Sequence, residues 1–175
     1  MAFNEYANPT IDTERLKVYA DVGTDSTEKW ELQGRGVASN DFATNADVTQ
    51  ELDVLGFTDV TVAKAKPTLE MELKLRKNSL LGEKILNAWL DRTCAIENLS
   101  VILKYEFLDA GADSPATNCV AYKETGCTIA IANVTGEAGN KLTVTCTLYL
   151  SNATVKGYMA KTDGETITFT EGTPS

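Results

Sequence analysis

The 175 residues of this chain include no histidine, so Asp/Glu pairs are the first place to look for acid–base chemistry. That absence removes the commonest general base, the commonest metal ligand and any Ser-His or Cys-His nucleophile pair. Glu70 and Glu72 stand two residues apart in a strand-like run, which puts both carboxylates on one face about 7 Å apart. A glycosidase needs its two carboxylates across a cleft, whereas two on one strand are first of all a solvated sheet face. Asp12 with Glu14, and Asp21 with Asp25, are acidic pairs in polar segments and read as surface. Ser79 and Ser114 have no histidine to activate them. The four cysteines, Cys94, Cys119, Cys127 and Cys146, show no CxxC spacing. They sit mostly in strand-like runs and read as buried free thiols rather than metal ligands or disulfides. Trp30 and Trp89 read as core anchors rather than sugar-stacking platforms. We therefore expect no catalytic residues, no metal and no cofactor.

The elements that must position these residues are mostly strands. Met1 to Thr13 is polar and without period, and reads as an extended arm ordered only when something binds it. Leu16 to Val22 has the β-branched and aromatic content of a short first strand, and Gly23 to Glu28 turns. Trp30, Leu32 and Val37 begin an alternating run with Gly34 and Gly36 inside it, where a strand bends or bulges. This GxG lacks the third glycine and following helix of a dinucleotide loop. Ala38 to Asp47 is small and polar and reads as a long exposed loop of the functional kind. Val48 to Leu55 and Phe57 to Ala63 are strand-like, split by Gly56. After Pro67, Leu69, Met71, Leu73 and Leu75 alternate with Glu70, Glu72, Lys74 and Arg76, which predicts one core face and one wet face.

Asn78 or Ser79 can cap the one clear helix, from about Ser79 to Asp91, with Leu81, Ile85, Leu86 and Trp89 on its apolar stripe. Leu99, Val101, Leu103, Tyr105 and Phe107 then alternate with Ser100, Ile102, Lys104 and Glu106. Asn118 to Lys123 and Cys127 to Val134 read as a strand pair joined through Glu124-Thr125-Gly126. Leu142, Val144, Cys146, Leu148 and Leu150 alternate with threonines. Two further strands, Thr154 to Met159 and Thr166 to Thr170, follow tight turns.

Composition bounds the function. A length of 175 residues with 43% hydrophobic content suits one compact domain. Twenty-five Asp plus Glu against 16 Lys plus Arg leaves a net charge of −9, and such a surface repels nucleic acid on average. The first twenty residues lack the apolar region of a signal peptide, and no run approaches the roughly 20 apolar residues of a membrane-spanning helix. Wet-faced strands with open edges favour assembly as the function.

The Trp30 strand with Gly34 and Gly36, the loop from Asn40 to Asp47 and Lys66-Pro67 opening an alternating strand occur in a definite order. They are followed by the helix Leu80 to Leu90, Gly139-Asn140-Lys141-Leu142-Thr143-Val144, Val155-Lys156-Gly157 and Thr166 to Thr170. This order, over roughly Lys29 to Thr170, resembles the major tail tube protein of long-tailed (siphovirus-like) bacteriophages. The helix start, Asn78-Ser79-Leu80-Leu81-Gly82, departs from the Gly-Asp-Pro start of many relatives. The resemblance implies a mainly β, sandwich- or barrel-like fold with one flanking helix. Residues 1–15 would form an N-terminal arm and 16–175 one β-rich domain, with an inter-ring loop near 38–47. It implies self-assembly into hexameric rings that stack into a tube, contact with other tail proteins at the tube ends, and non-adhesive passage of double-stranded DNA. The virion tail would be its location after synthesis in the host bacterial cytoplasm, with no membrane partner. Glu70 and Glu72, with Glu51 and Asp53 next, would line the lumen and repel phosphates. Asn40, Asp41, Phe42 and Asn45 would make inter-ring contacts. An immunoglobulin-like binding or virion decoration module is the alternative, and a carboxylate glycosidase comes third.

Overall fold

The computed structural model describes residues 15–24, 27–33, 37–46, 48–52, 58–62, 65, 67–76, 78–110, 117–136, 142–151, 153–162 and 167–173. The expected arm therefore lies outside the described residues, except for Arg15. Among the described residues, eleven strands and one helix follow in order. They are β1 (Leu16–Asp21), β2 (Trp30–Leu32), β3 (Val37–Ala43), β4 (Val48–Leu52), β5 (Thr58–Val62), β6 (Thr68–Lys74), α1 (Leu80–Leu90), β7 (Ala95–Asp109), β8 (Asn118–Thr135), β9 (Thr143–Tyr149), β10 (Thr154–Ala160) and β11 (Thr170–Glu171). The fold is mainly β, as expected.

One antiparallel sheet carries the order β2-β1-β7-β8-β9-β6-β3, with β10 and β11 branching from β8. Chain connectivity requires this sheet to curl. β2 and β3 stand at opposite ends of the order, about 29 Å apart in a flat sheet at the usual strand spacing. Yet only residues 33–36 join Leu32 to Val37, a link that reaches about 17 Å when fully extended. A half-barrel brings the two ends together, and it is the form the sheet takes.

The branch lies at the middle of β8, which corrects the expected turn at Glu124-Thr125-Gly126. β8 runs 18 residues without reversing. Gly126 takes φ +74, a left-handed conformation open to glycine, and bends the strand where a hairpin was expected. β7 follows both halves of β8, with a register shift between Leu99↔Cys127 and Val101↔Glu124. On its other edge, β10 pairs with 118–124 and β9 with 128–135. Ser151 donates its hydroxyl to the Thr125 carbonyl at this fork.

Two cores result. Leu69, Met71 and Leu73 of β6, with Val144, Cys146 and Leu148 of β9, form a continuous apolar layer with β8, β7 and β1 under α1. The helix contributes Leu81 and Ile85, with Ala88 packed beside them. Full burial of Leu81 and Ile85 stabilises by about 1.5–3 kcal/mol each. Trp89 falls at the edge of this i, i+4, i+7 stripe, about 80° round the helix from Leu81, and the expected core anchor is 42% exposed. On the opposite sheet face, Tyr19, Ile102, Ala121 and Met159 form a second core, packed by Trp30, Leu32, Ile167 and Phe169. Gly157 permits this layer to close, because a Cβ there would stand 2.2 Å from the Thr170 carbonyl oxygen and 2.5 Å from Phe169 Cζ.

The second core buries the polar alternates of β7. Lys104 is fully buried, with Nζ 3.0 Å from Glu106 Oε1 and donating to the Lys161 carbonyl at 3.0 Å. Lys17 Nζ stands 2.7 Å from the same Glu106 oxygen, and Arg15 Nη1 is 3.7 Å from the other. One buried carboxylate thus holds three cations around the lower half of β7.

The expected loop at Ala38 to Asp47 is also corrected. Val37–Ala43 is a strand on the end of the sheet, paired with β6 through Asn40↔Met71, Asp41↔Glu70 and Phe42↔Leu69. Small polar residues disfavour a strand, but the free backbone edge of β6 supplies the pairing that overrides local preference. The last expected strand shortens to Thr170–Glu171.

Candidate assembly surfaces

The first candidate surface is the sheet face turned away from α1. On β6, Glu70 is exposed and Glu72 half-buried, opposite Thr147 and Thr145 of β9. Lys74 continues the row opposite Thr143. On the far side of β9, Thr128 pairs with Tyr149, Asn133 with Thr145 and Thr135 with Thr143. The result is a hydroxyl-rich surface with two carboxylates at one side and a cation at its end. Such a face offers hydrogen bonds to water and repels a polyanion near Glu70 and Glu72.

The other two residues expected beside them do not join this row. Glu51 belongs to β4, which pairs with β5 as a separate two-stranded sheet, Glu51 opposite Asp59. Asp53 lies outside the described residues. Of the residues expected between rings, Asn40, Asp41 and Phe42 are in β3. Asn45 follows that strand at φ 46, and its Nδ2 donates to Thr68 Oγ1 at 2.9 Å. The asparagine side chain suits the left-handed backbone, and its bond fastens the exit of β3 to the start of β6.

The β4–β5 hairpin is the second candidate surface. It runs in the register Val48↔Val62, Gln50↔Val60 and Leu52↔Thr58, and forms no ladder with any other described strand. Val48 and Val60, diagonal neighbours in this register, are 51% and 50% exposed. An isolated hairpin is marginal in water, and half-exposed valines gain by being covered.

The third surface is a groove of about 910 Å³ where the two ends of the curled sheet face each other. Trp30, Glu31, Leu32 and Gln33 line one side, Leu73 to Arg76 the other, and the start of α1 closes it. Glu31 anchors the helix there. Its Oε1 accepts from Ser79 Oγ at 2.6 Å, and its Oε2 accepts from the Leu80 and Leu81 backbone N–H groups at 2.8 and 3.1 Å. Ser79 Oγ in turn accepts from Gly82 N at 3.0 Å. Three otherwise unpaired helix N–H groups are satisfied, and the carboxylate faces the positive end of the helix dipole. Ser79 was legible as a cap; Glu31, 48 residues away, carried no sequence signal.

Reactive groups are insulated. Burial pushes the Cys119 thiol up to about 11 and Cys146 to about 12, and also raises Cys127. All three remain protonated near neutrality and inert. Cys94, expected among the buried thiols, is exposed just past α1, at φ 52. The helix ends at Asp91, and Arg92 and Cys94 both take left-handed backbone to turn the chain into β7. Among the described residues, no group of three or more His, Cys, Asp or Glu is arranged to hold a metal ion, and no helix is long and apolar enough to cross a membrane.

Neither a protein-family model nor a curated protein matches the sequence. Solved structures do match in fold. A chain from the tail of an empty gene transfer agent particle, refined with C6 symmetry, superposes with a TM-score of 0.54 at 10% identity. The match covers 83% of this chain and 97% of that one. A chain of the native gene transfer agent virion gives 0.51 at 9% identity, again over 83% and 97%. This chain shares their fold. At this identity the likeness concerns backbone architecture alone.

Proposed function

We propose that this chain is a structural subunit of a phage-like tail tube, assembling as six-membered rings that stack around a channel for DNA. The observation that carries this reading is the fold likeness, over 83% of this chain, to a chain in a tail refined with six-fold symmetry. The uncovered β4–β5 hairpin supports it, since a subunit that finishes folding on its neighbours leaves such elements bare as a monomer.

In this reading the face bearing Glu70, Glu72 and the β9 threonines lines the lumen, where carboxylates keep phosphates from adhering during transit. Glu51 and Asp53 are secondary lumen candidates. Asn40, Asp41, Phe42 and Asn45, with the arm of residues 1–15, contact the next ring. The remaining residues act structurally, with no catalytic step.

Electron microscopy of the purified protein tests the reading. Rings of six or tubes are expected. Stable monomers at high concentration, together with failure to incorporate into tails, would sink it.

A further inference from the structure

We propose that the groove between β2 and the end of β6 receives the β4–β5 hairpin of a second copy of this chain. The inference rests on the self-assembly reading above and adds to it a specific donor and acceptor.

The groove is unfinished in the isolated chain. Gln33 lies in its wall, 5% exposed, with both Oε1 and Nε2 buried and, among the described residues, without hydrogen-bond partners. A primary amide offers one acceptor and two donors, which is the complement of the C=O and N–H groups along an extended strand. Leaving both amide atoms unpaired is unfavourable, so an occupant that pairs them is favoured over an empty groove. Leu73, Leu75 and Ile167 supply apolar wall for side chains.

Charge selects the occupant. Lys29, Lys74 and Arg76 are exposed on the groove lining against one exposed carboxylate, Glu83, while the nearby Glu31 carboxylate is engaged by the helix N–H groups, so the exposed rim is basic on balance. From Val48 to Val62 the chain carries Glu51, Asp53 and Asp59 and no lysine or arginine. An acidic hairpin with exposed valines therefore matches an apolar groove with a basic rim. None of the described hairpin residues lines the groove of its own chain, so the hairpin comes from a neighbour.

Mixed chains, each with one introduced cysteine beside the three buried ones, test this. In a Cys94→Ser background, chains with Val60→Cys are assembled with chains carrying Leu75→Cys and treated with a mild oxidant. A disulfide joining one chain of each kind is expected, about tenfold above the yield with Lys156→Cys replacing Leu75→Cys. Lys74→Glu with Arg76→Glu is expected to lower that yield about tenfold, and Glu51→Lys with Asp59→Lys to restore it. Gln33→Met should raise the unfolding midpoint of the dilute protein while lowering cross-linking; movement of both in one direction overturns the proposal. Rings or tubes that form without cross-linking above the control overturn the groove and leave the assembly reading intact. A disulfide within single dilute chains carrying both cysteines shows the hairpin filling its own groove, which also overturns it. Failure of the Cys94→Ser chain itself to assemble removes both readings.

Discussion

β7 and the β4–β5 hairpin are built from the same kinds of residue, aliphatic alternating with polar, and end in opposite conditions. β7 has β1 on one edge, β8 on the other and a core on each face, so even Lys104 and Glu106 are buried. The hairpin pairs only with itself and leaves Val48 and Val60 half in water. Local sequence did not separate them; the number of neighbours did. The difference divides the molecule into a centre that holds the monomer together and a periphery that, under the proposal above, other copies complete.

The largest test of that division is at Glu106. Glu106→Gln leaves the buried Lys104 and the adjacent Lys17 without their shared carboxylate, and a loss of about 3–5 kcal/mol in unfolding free energy is expected. Denaturant titration measures it, and a loss below about 1 kcal/mol would mean the centre does not depend on this cluster.

Glu31→Ala comes next. It removes the acceptor of two helix N–H groups and of the Ser79 hydroxyl, with an expected cost of about 1–2 kcal/mol. Hydrogen exchange should quicken at the first turn of α1 more than in β7. Equal quickening in both would show that helix and sheet open as one unit.

A milder effect is expected with pH. The folded chain keeps protons on Cys119 and Cys146 that the unfolded chain releases above the ordinary thiol value of 9.0. Their contribution is full below pH 9 and falls as pH rises toward 11 to 12. Cys146→Val should flatten the fall; an unchanged alkaline slope assigns it to other groups, such as Tyr105, which burial raises to about 12.

Smallest for the monomer, though not for assembly, is Val48→Asp with Val60→Asp. Both sites are half-exposed, so the dilute protein should change by no more than about 0.5 kcal/mol. Assembly followed by light scattering should be abolished. Normal assembly would move the hairpin out of the interface. Glu70→Lys with Glu72→Lys should alter neither stability nor tubes, and should slow DNA release from particles; unchanged release removes these residues from the lumen.

Much of the fold was legible where period and punctuation agreed. The burial of Leu69, Met71 and Leu73 between more exposed neighbours in β6 follows from the alternation after Pro67. The helix bounds follow from Ser79 and the Leu81/Ile85 spacing, and β4 and β5 flank Gly56 as expected. The errors came where partners overrode local signals. Glu124-Thr125-Gly126 has the composition of a turn but sits in a strand held on both sides. Val37–Ala43 has the composition of a loop but is drawn into the sheet by β6. Trp89 fits an apolar stripe that the helix does not finish burying.

By itself the sequence determined the class of molecule. Strand periodicity, one capped helix and the absence of histidine are properties of residues and their neighbours along the chain, and the last removes histidine-dependent mechanisms before any folding is considered. Only the tertiary structure decided which faces are wet. It curled the sheet so that residues 33–36 could join its two ends, covered β7 on both sides, placed Glu31 at the helix start and left Gln33 without a partner among the described residues. Those outcomes depend on contacts between residues far apart in sequence, which no local pattern encodes.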